Sequence, residues 1–498
     1  MSRVAADTSP KTETKLDQWM GAVLEQHAAA GRGLEPEVVH DLRVALRRCL
    51  SMAESFLDLD PEPAWRDLRR SGRRLFKRLG RLRDTQVMTG WVKKLAPSPD
   101  PAAQSLLDHL RAEEQQHEHR ALRALHRFDR KQWKKWAALL PLRAAHLPAD
   151  GPAAEYLAVV RWEEAYALHR RAMRGRSRVA FHQARIGIKK FRYTIECFLP
   201  GRSSWIEDLK QAQDALGEMH DFVLLEQTAF SLPAFAQPPA KEVWKRQLDR
   251  LCEARIDTYK AKMAGRGSPW LAWRNALPRD ERLDAAWLAW LETWTSFRTP
   301  STEHARHVSR LALELYDQMA AAGLGGAQGN GHTRRILQTA ALAHDVGRAH
   351  GNRSHHKYTY DMIAGLKTPI GWSSEEVQLA ALVARYHRRA LPQRRHAGFR
   401  RLSADRKQKV LLLAGILRLV NALDGRHDAS VRSLKAEIER GRIEIHAGGY
   451  AAGEPRASRI ANAKHLFEIA CQRPVDVLPI ASPRRGRLDG ARSAAKTA

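Results

Sequence analysis

One segment of the chain recurs 142 residues downstream, and this repeat constrains the fold most. HDLRVALRRCLSMAESF at 40–56 aligns without gaps with HQARIGIKKFRYTIECF at 182–198, and both space their apolar residues as a helix does. A shorter echo follows each copy, LGRLRD at 79–84 and LGEMHD at 216–221. Two copies at so long a period do not make a solenoid array. The repeat therefore predicts an all-α fold in which two similar halves form one pseudo-two-fold helical bundle.

Helical spacing continues through the rest of the chain and predicts a second helical domain. We divide the 498 residues into a bundle over 12–265, connecting helices over 266–299, a helical domain over 300–475 and a basic, disordered tail over 476–498. No stretch reaches the roughly 18 apolar residues of a membrane span, and the first twenty residues lack the apolar core of a signal peptide. The four cysteines are widely separated. We therefore expect a cytoplasmic protein with no membrane partner.

The charge balance is strongly positive, with 84 Lys and Arg against 55 Asp and Glu. Such an excess concentrates polyanions near a protein. At helical spacing, the basic residues of each repeat copy share one face, namely His40, Arg43 and Arg47 in the first copy and His182, Arg185, Lys189 and Arg192 in the second. The segment 66–83 adds nine Lys or Arg against one acid, Asp67. We expect these rows to bind a polyanion; the alternative is a solvated, arginine-rich helix surface.

The composition of the rows distinguishes between polyanions. Proteins that read DNA bases place Asn or Gln among the basic residues, and single-strand binders stack bases on aromatic rings. Here the rows are nearly pure charge, and Phe191 and Tyr193 are the only aromatic residues close by. A ligand made of phosphate and little else fits these rows better than nucleic acid, which remains an alternative that rests on charge alone.

The repeated His-x-x-Arg-x-x-x-(Arg/Lys)-(Arg/Lys) helix, the Leu-Gly echo and Lys-Phe-Arg-Tyr at 190–193 resemble the CHAD family, the conserved histidine α-helical domain. The resemblance spans about residues 12–265. It implies a helical bundle with a basic central pore or groove that binds inorganic polyphosphate, in some members at polyphosphate granules. Carried over position by position, it implies as ligand contacts His40, Arg43, Arg47, Arg48, Lys77, Arg83, His182, Arg185, Lys189, Lys190 and Arg192.

Four residues of the repeat have a second reading. His40 and His182 lie near the starts of their helices, and each could be a buried residue that bonds to a neighbouring backbone. Asp84 and Asp221 follow the Leu-Gly echo. We expect these two carboxylates to cap helices or to pair with arginines, because a carboxylate beside polyphosphate would repel it.

Histidines and aspartates gather in the third region of the chain. His304 falls on an apolar helical face, the adjacent His344 and Asp345 end an apolar helix, and further members follow at His355, His356, His387 and Asp424. Imidazoles and carboxylates that converge from successive helices are a typical ligand set for a divalent metal. The alternative is that each histidine is a satisfied core residue.

The segments HARHV, AALAHDVG, SHHKYTY, ARYHRR and LRLVNALD resemble an HD-type phosphohydrolase domain. The resemblance is closest to the C-terminal domain of exopolyphosphatase/guanosine pentaphosphatase proteins and covers roughly 300–445. It implies a divalent Mn, Mg or Fe ion held among His304, His344, Asp345, His356, His387 and Asp424, with His344 and Asp345 as catalytic residues. The chain departs from the family pattern at Asn421, where aspartate is usual, and at Tyr358, where histidine is usual.

Together these patterns predict a protein that binds inorganic polyphosphate, with an attached HD-like domain that hydrolyses or senses a phosphorylated ligand such as a small molecule. One alternative is that metal-dependent phosphohydrolysis is the primary activity. Another is that the HD-like domain is degenerate and has no such activity. A further alternative is nucleic-acid binding. We find no glycine-rich phosphate loop preceded by a strand, since GLGGAQGNG at 323–331 joins two helices.

Overall fold

The residues that the computed structural model describes contain eighteen α-helices and one small three-stranded sheet. These residues are 15–480, apart from 97–99, 237, 325–330, 352, 440, 452, 454 and 455. The mostly helical class predicted from the sequence is confirmed. The chain divides into two compact units, Met1–Phe297 and Arg298–Ala498. None of the described helices combines the length and the apolar character that a membrane crossing needs.

The first unit contains eleven α-helices in its described part. They are α1 (Lys15–Ala30), α2 (Pro36–Phe56), α3 (Pro63–Leu95), α4 (Pro101–His126), α5 (Arg130–Ala144), α6 (Pro152–Gly175), α7 (Arg178–Phe198), α8 (Ser204–Ala229), α9 (Ala240–Met263), α10 (Pro269–Ala276) and α11 (Asp280–Ser296). Four of the longest helices, α2, α3, α4 and α6, begin with a proline, whose missing N–H costs nothing at that position. Asp100 and Ser177 cap the starts of α4 and α7 with side-chain oxygens.

Packing in the first unit follows the repeat. Helices adjacent in sequence pack together from α1 to α4 and from α6 to α9, and in addition α2 contacts α7 and α3 contacts α8. These pairs are the helices that carry the two repeat copies and the two Leu-Gly echoes. Apolar residues at helical spacing in α3 are buried, with Leu68, Leu75, Leu79 and Leu82 at most 2% exposed. The pseudo-two-fold relation between the halves stays a prediction.

The tryptophan-rich segment expected to connect the domains packs onto the first unit. Trp270 of α10 lies against Trp162 of α6 and Phe191 of α7, with ring centroids 6.1 and 6.4 Å apart. In α11, Trp287 lies 5.4 Å from Tyr156 of α6. Helices α10 and α11 therefore form part of the core of the first unit.

The second unit contains seven α-helices and three strands among its described residues. They are α12 (Thr302–Ala321), α13 (Gly331–Ala343), α14 (His355–Ala364), α15 (Ser374–Arg385), α16 (Ala397–Arg400), α17 (Ala404–Leu423), β1 (Ser433–Glu439), β2 (Arg442–Gly448), α18 (Arg456–Cys471) and β3 (Val475–Pro479). The sheet has the order β1-β2-β3. Strands β1 and β2 are antiparallel, with Ser433 opposite Gly448, and β2 and β3 are parallel, with Ile443 opposite Val475.

The sequence predicted only helices for 300–475, so the sheet is an unexpected feature of this region. In β2 the apolar residues Ile443, Ile445 and Ala447 are fully buried and alternate with polar residues, as in a strand with one face on a core. Gln318 of α12 joins this sheet through hydrogen bonds to the backbone of β1, 2.8 and 2.7 Å long. Strand β3 takes up residues 476–479 of the expected tail, and the stretch 481–498 lies outside the described residues.

Candidate functional site

Five cationic side chains of the repeat meet where α2 packs against α7. We call Arg43 and Arg47 of α2 and Arg185, Lys189 and Arg192 of α7 the central basic cluster. All five are half-buried. Burial lowers the pKa of Lys189 to about 6, and the arginine charges of the cluster act in the same direction. The two cationic rows predicted from the sequence therefore converge on one place.

Two glycines of the Leu-Gly echo make room for the guanidinium groups. A Cβ atom on Gly80 of α3 would lie 2.7 Å from Nη1 of Arg43. On Gly217 of α8, a Cβ atom would lie 3.5 Å from Nε and Nη2 of Arg185. Each half thus lays its repeated arginine over its repeated glycine. This contact gives a physical reason for the recurrence of the two motifs together in both halves of the chain.

Asp84 of α3 and Asp221 of α8 accompany the cluster. Neither caps a helix, because both lie in helix interiors. Desolvation raises the pKa of both carboxyl groups, that of Asp221 to about 6, while Arg43 acts against the rise at Asp84 and Arg185 at both. They are therefore arginine partners, the second of the two roles expected from the sequence. Two carboxylates among five cationic groups leave an excess of positive charge.

Part of that positive charge has no hydrogen-bond partner in the described chain. Nη1 of Arg43 and Nε of Arg185 are buried nitrogens without an acceptor. Arg47 donates from Nη1 to the hydroxyl of Tyr193, 3.0 Å away. A buried guanidinium nitrogen that lacks an acceptor carries a desolvation cost. An anion that entered the cluster would remove this cost.

Arg48 and Lys190, whose role as ligand contacts stays a prediction, form ion pairs between the two repeat copies. Nε of Arg48 lies 3.8 Å from Oε2 of Glu196, and Nζ of Lys190 lies 2.9 Å from Oε1 of Glu54. Glu54 and Glu196 occupy matching repeat positions. Arg192 also contacts Glu196, at 3.1 Å. These pairs join α2 to α7, so Arg48 and Lys190 contribute to packing.

The repeated histidines occupy different surroundings. His40 is exposed and close to Arg83 of α3, whose Nη1 donates to the carbonyl of Pro36, 3.5 Å away. His182 is half-buried, and its ring centroid lies 4.1 Å from that of His220 on α8. Burial lowers the pKa of His220 to about 4. The buried alternative therefore does not apply to His40, and His220 joins the site although the sequence analysis did not assign it a role.

Lys77, the remaining predicted contact, lies outside the central basic cluster. It lines a separate groove formed by α3, α4 and the start of α5. Two members of the basic face predicted on α3, Arg70 and Arg81, line the same groove. Basic residues of α3 thus form part of a second basic surface, separate from the central basic cluster.

A second cluster lies in the second unit, and we call it the His-Asp cluster. Its members come from α12, the two residues after α13, the start of α14 and the second residue after α15, and each is at most 4% exposed; they are His304, His344, Asp345, His355 and His387. They form two groups with ligand atoms no more than 4.8 Å apart, one with His304 and His344 and one with His355 and His387. Asp345 belongs to both groups. The arrangement can therefore hold one or two metal ions.

Backbone hydrogen bonds fix the orientation of two imidazoles. Nδ1 of His344 donates to the carbonyl of Ala341, 2.7 Å away, and Nδ1 of His387 donates to the carbonyl of Ala384, 2.6 Å away. With the proton on Nδ1, each neutral ring turns the lone pair of Nε2 into the cluster. Nε2 of His387 lies 3.1 Å from Nε2 of His355. This is the tautomer that a metal ligand requires.

The polar atoms inside the cluster suit a divalent cation. Nε2 of His344 and both carboxylate oxygens of Asp345 are buried and make no well-aligned hydrogen bond in the described chain, although Arg348 forms an ion pair with Asp345, with its Nε 2.8 Å from Oδ2. Burial would raise the pKa of Asp345, but His344, His387 and Arg348 hold that pKa well below its usual range. Burial lowers the pKa of His387 far below its usual value. Neutral nitrogen donors around an ionised carboxylate fit a divalent ion.

Asp424 supports the cluster from outside it. Nδ1 of His304 donates to Oδ2 of Asp424, 2.6 Å away, and Oδ1 of Asp424 accepts from the backbone of Ala429 at 2.9 Å. Nε2 of His304 lies 3.1 Å from Oδ1 of Asn421. In the structure Asp424 therefore orients His304, and its role as a metal ligand stays a prediction. Asn421 lies on the inner side of the His304 ring.

The structure brings His355 to the cluster in place of the predicted His356. Successive residues of a helix point about 100° apart, so only one of two adjacent histidines can face Asp345. His356 instead lines a pocket with Lys357, Arg385 and other residues of this unit. The sequence pattern contained His355 but could not tell which of the pair turns inward.

Gly347 allows α14 to approach the end of α13. A Cβ atom at this position would lie 2.2 Å from the carbonyl oxygen of His355. The backbone N–H of Gly347 donates to Oγ1 of Thr359 at 3.1 Å, and that hydroxyl donates to the carbonyl of His344 at 3.0 Å. The His-Asp-Val-Gly turn thereby holds His355 against Asp345.

A basic pocket is lined by His387 of the His-Asp cluster and by Asn421, which lies next to His304. Five arginines line it, namely Arg348, Arg388, Arg389, Arg418 and Arg459. Guanidinium groups bind phosphate oxygens through paired hydrogen bonds. The pocket therefore suits an anion with several phosphate groups.

Comparisons with known proteins identify both units. Residues 16–230 match the family described as CHAD domain, and residues 296–446 match the family described as Ppx/GppA phosphatase, domain III. Among solved structures, the CHAD domain from the plant Ricinus communis aligns at 22% identity over 52% of this chain and 96% of that chain, with a TM-score of 0.39. The comparison with curated proteins finds no match.

Proposed function

The chain carries a CHAD domain followed by a Ppx/GppA phosphatase domain III, and we propose that its first unit binds inorganic polyphosphate in the central basic cluster. One observation carries the proposal. Arg43 and Arg185 meet in the cluster, each with a buried guanidinium nitrogen that has no acceptor in the described chain. A chain of phosphates supplies both the negative charge and the acceptors that these groups lack.

Single-stranded nucleic acid fits the cluster less well. Binders of single strands stack bases on aromatic rings that are open to solvent. The two aromatic residues next to the cationic row of α7, Phe191 and Tyr193, are 0% and 5% exposed. A third ring, Phe76 of α3, is half-buried, and Arg43 and Arg47 of the cluster already lie over it, with their guanidinium carbons 4.9 and 5.6 Å from its centroid. A base would have to displace these arginines to stack there, whereas phosphate can bind them directly.

Competition at controlled salt tests this proposal. Polyphosphate and single-stranded RNA, at equal phosphate concentration, compete for the full chain in 100 mM and 400 mM salt. We expect polyphosphate to displace RNA and its affinity to fall with salt, as counterion release requires. Displacement of polyphosphate by RNA, or an affinity that ignores salt, would overturn the proposal. We further propose that in the cell the protein is cytoplasmic and collects at polyphosphate granules.

The second unit supports a second candidate function, a metal-dependent phosphohydrolase. The observation that favours it is Asp345, which the two possible ligand groups share. His304, His344, Asp345, His355 and His387 would hold the metal, and Mn, Mg and Fe are the candidate ions. A divalent ion in such a centre supplies Lewis acidity and activates water for attack on phosphorus. The arginines of the neighbouring pocket would bind and orient the phosphates of the substrate.

Metal analysis and phosphate release test this second function together. We expect the full chain to retain a divalent ion and to release phosphate from polyphosphate or a phosphorylated small molecule when Mn²⁺ or Mg²⁺ is present. H344A should abolish both the ion and the release. H356A is the matched control, since His356 lies outside both ligand groups, and it should keep both. A chain that binds no metal and releases no phosphate would reduce this unit to a degenerate domain.

A further inference from the structure

A second basic surface of the first unit lies on α3, α4 and the start of α5, and we call it the α3–α4 groove. Eight cationic side chains line it: Arg70, Arg74, Lys77, Arg78 and Arg81 of α3, and Arg120, Arg123 and Arg127 at the end of α4. From Arg70 to Arg81, the helix advances roughly 16 Å at its usual rise per residue. The groove is therefore an extended track and not a pocket for a single small anion.

The positive charge of the groove is almost unopposed. Among the residues that the structure describes, two carboxylates line it, Asp67 and Asp129. Asp67 lies 3.7 Å from Arg70, and Asp129 caps α5 by accepting from the backbone of Gln132 at 2.8 Å. The other seven cations form no ion pair within the described part of the chain. Like charges at such spacing repel one another, so the groove is suited to an anionic ligand.

The repeat does not explain the groove. Alignment of the two Leu-Gly echoes sets α3 against α8, and it gives Glu207, Asp214 and Glu218 in α8 at the positions of three cations in α3, Arg70, Lys77 and Arg81. The charge is reversed at all three positions. The central basic cluster, by contrast, draws on both repeat copies. The groove belongs to the first half alone and is a feature separate from the shared site.

One end of the groove adjoins the central basic cluster. His117 of α4 feels the charges of Arg81 and Arg120 in the groove and of Asp84 beside the cluster. Its Nδ1 lies 3.1 Å from Oγ1 of Thr85, the residue after Asp84. Arg81, at this end of the groove, directly follows Gly80, over which Nη1 of Arg43 lies. A polymer that leaves the cluster along α3 would therefore meet the groove next.

We infer that the α3–α4 groove binds a second stretch of the same polyphosphate chain that the central basic cluster holds. The inference rests on the proposed function of the first unit. Seven of the eight cations are arginines, whose forked donors match phosphate oxygens. The aromatic residues of the groove, Phe128 and Trp136, are each 8% exposed, so they offer bases little surface for stacking. A ligand made only of phosphate therefore fits the α3–α4 groove better than nucleic acid does.

Charge reversal on the two sides of α3 tests the inference. R74E/R78E reverses two guanidinium groups of the groove, and R66E/R73E reverses two exposed arginines of the same helix that do not line it. The probes are long-chain polyphosphate and tripolyphosphate, which is too short to occupy both surfaces. Thermal melting of each variant checks that the bundle is folded.

We expect R74E/R78E to weaken long-chain binding about tenfold or more and to lower the salt slope by about 1.4, the value for two phosphate contacts on a single strand. Tripolyphosphate binding should stay within about twofold of the parent, and R66E/R73E should change long-chain binding by less than about threefold. Equal losses in the two pairs would overturn the inference, as would loss of tripolyphosphate binding in R74E/R78E.

Two further outcomes distinguish failure of the central basic cluster from failure of the groove. If the unaltered chain binds neither probe, the proposed function of the central basic cluster fails, and no groove variant is needed to show it. If R74E/R78E leaves polyphosphate binding intact but removes binding of single-stranded RNA, the groove is a nucleic-acid surface and the inference is wrong.

Discussion

The central basic cluster and the His-Asp cluster bury polar groups of opposite kinds, hydrogen-bond donors in the first and acceptors in the second. In the first, Arg43 and Arg185 keep guanidinium nitrogens away from water without an acceptor. In the second, Nε2 of His344 keeps a lone pair away from water without a donor in the described chain, and beside it the buried carboxylate of Asp345 has Nε of Arg348 2.8 Å from Oδ2. Burying a polar or charged group without a partner costs free energy. Each site therefore indicates the sign of its missing ligand, an anion in one case and a cation in the other.

The two clusters also differ in how they are built. The cationic cluster uses long, flexible side chains that remain half-buried. The His-Asp cluster uses short side chains that are at most 4% exposed and are fixed by backbone and side-chain hydrogen bonds. A polymer of variable length can bind adaptable cations, whereas a metal ion needs ligand atoms at set distances. This difference predicts that substitutions act more sharply in the second site.

The largest effect is expected from D345N. Since Asp345 serves both ligand groups, a neutral amide at this position should lower Mn²⁺ affinity by more than about 100-fold, the upper end of what loss of a supporting hydrogen bond costs. D424N removes only the partner of His304 and should cost about 10- to 100-fold. Titration of the metal-free chain with Mn²⁺ measures both. Retention of full Mn²⁺ affinity in D345N would contradict the metal assignment.

The next effect compares free and paired cations within the first unit. R43A/R185A removes two buried groups, and at about 1.5–3 kcal/mol for each charged hydrogen bond the affinity for polyphosphate should fall about 100-fold or more. R48A/K190A removes the same charge from ion-paired positions and should cost less than about fivefold. Binding titrations at one salt concentration compare them. Equal losses would mean that net charge, and not the buried cluster, binds the polymer.

The two echo glycines provide a smaller and more local comparison. A Cβ atom at position 80 would approach Arg43 to 2.7 Å, but a Cβ atom at position 217 would meet Arg185 only at 3.5 Å, an ordinary contact. G80A should therefore displace the guanidinium and weaken polyphosphate binding about tenfold, whereas G217A should change it less than about twofold. Both substitutions favour helix formation, so a general loss of stability would not account for the difference. A larger effect of G217A would contradict this geometry.

The smallest effect is a pH dependence of binding. The pKa of Asp221 is raised to about 6 and that of Lys189 is lowered to about 6. As the pH falls from 8 to 5, Asp221 loses a negative charge and Lys189 gains a positive one, so polyphosphate affinity should rise about fivefold. D221N should bind more tightly than the parent at pH 8 and should show a flatter profile. Binding that weakens towards acid pH would contradict this arrangement.

The sequence predicts the helical fold and the central basic cluster because both depend on helical periodicity. Residues three, four and seven apart share a face, so Arg43 and Arg47, or Arg185 and Lys189, could be grouped without a structure. Which cations then find a partner depends on tertiary packing. The ion pairs of Arg48 and Lys190 join helices that are 136 or more residues apart in sequence, and no local pattern predicts such pairs.

Other features were missed for different reasons. Strand β2 is readable in principle, because Ile443, Ile445 and Ala447 alternate with polar residues. The arginines of α4 also share a helix face, but only the packing of α4 against α3 makes that face part of a groove. The choice between His355 and His356 depends on the rotation of one ten-residue helix, which its short apolar pattern does not determine.

The salt dependence of polyphosphate binding tests the central claim most directly. Affinity of the unaltered chain and of R43A/R185A is measured across the same salt series, and each logarithmic plot gives a slope that counts phosphate contacts. If the buried arginines hold phosphates, the slope of the variant should be shallower by about 1.4, two contacts at about 0.7 each. Parallel lines for the two proteins would contradict the account, because the buried guanidinium groups would then contact no phosphate.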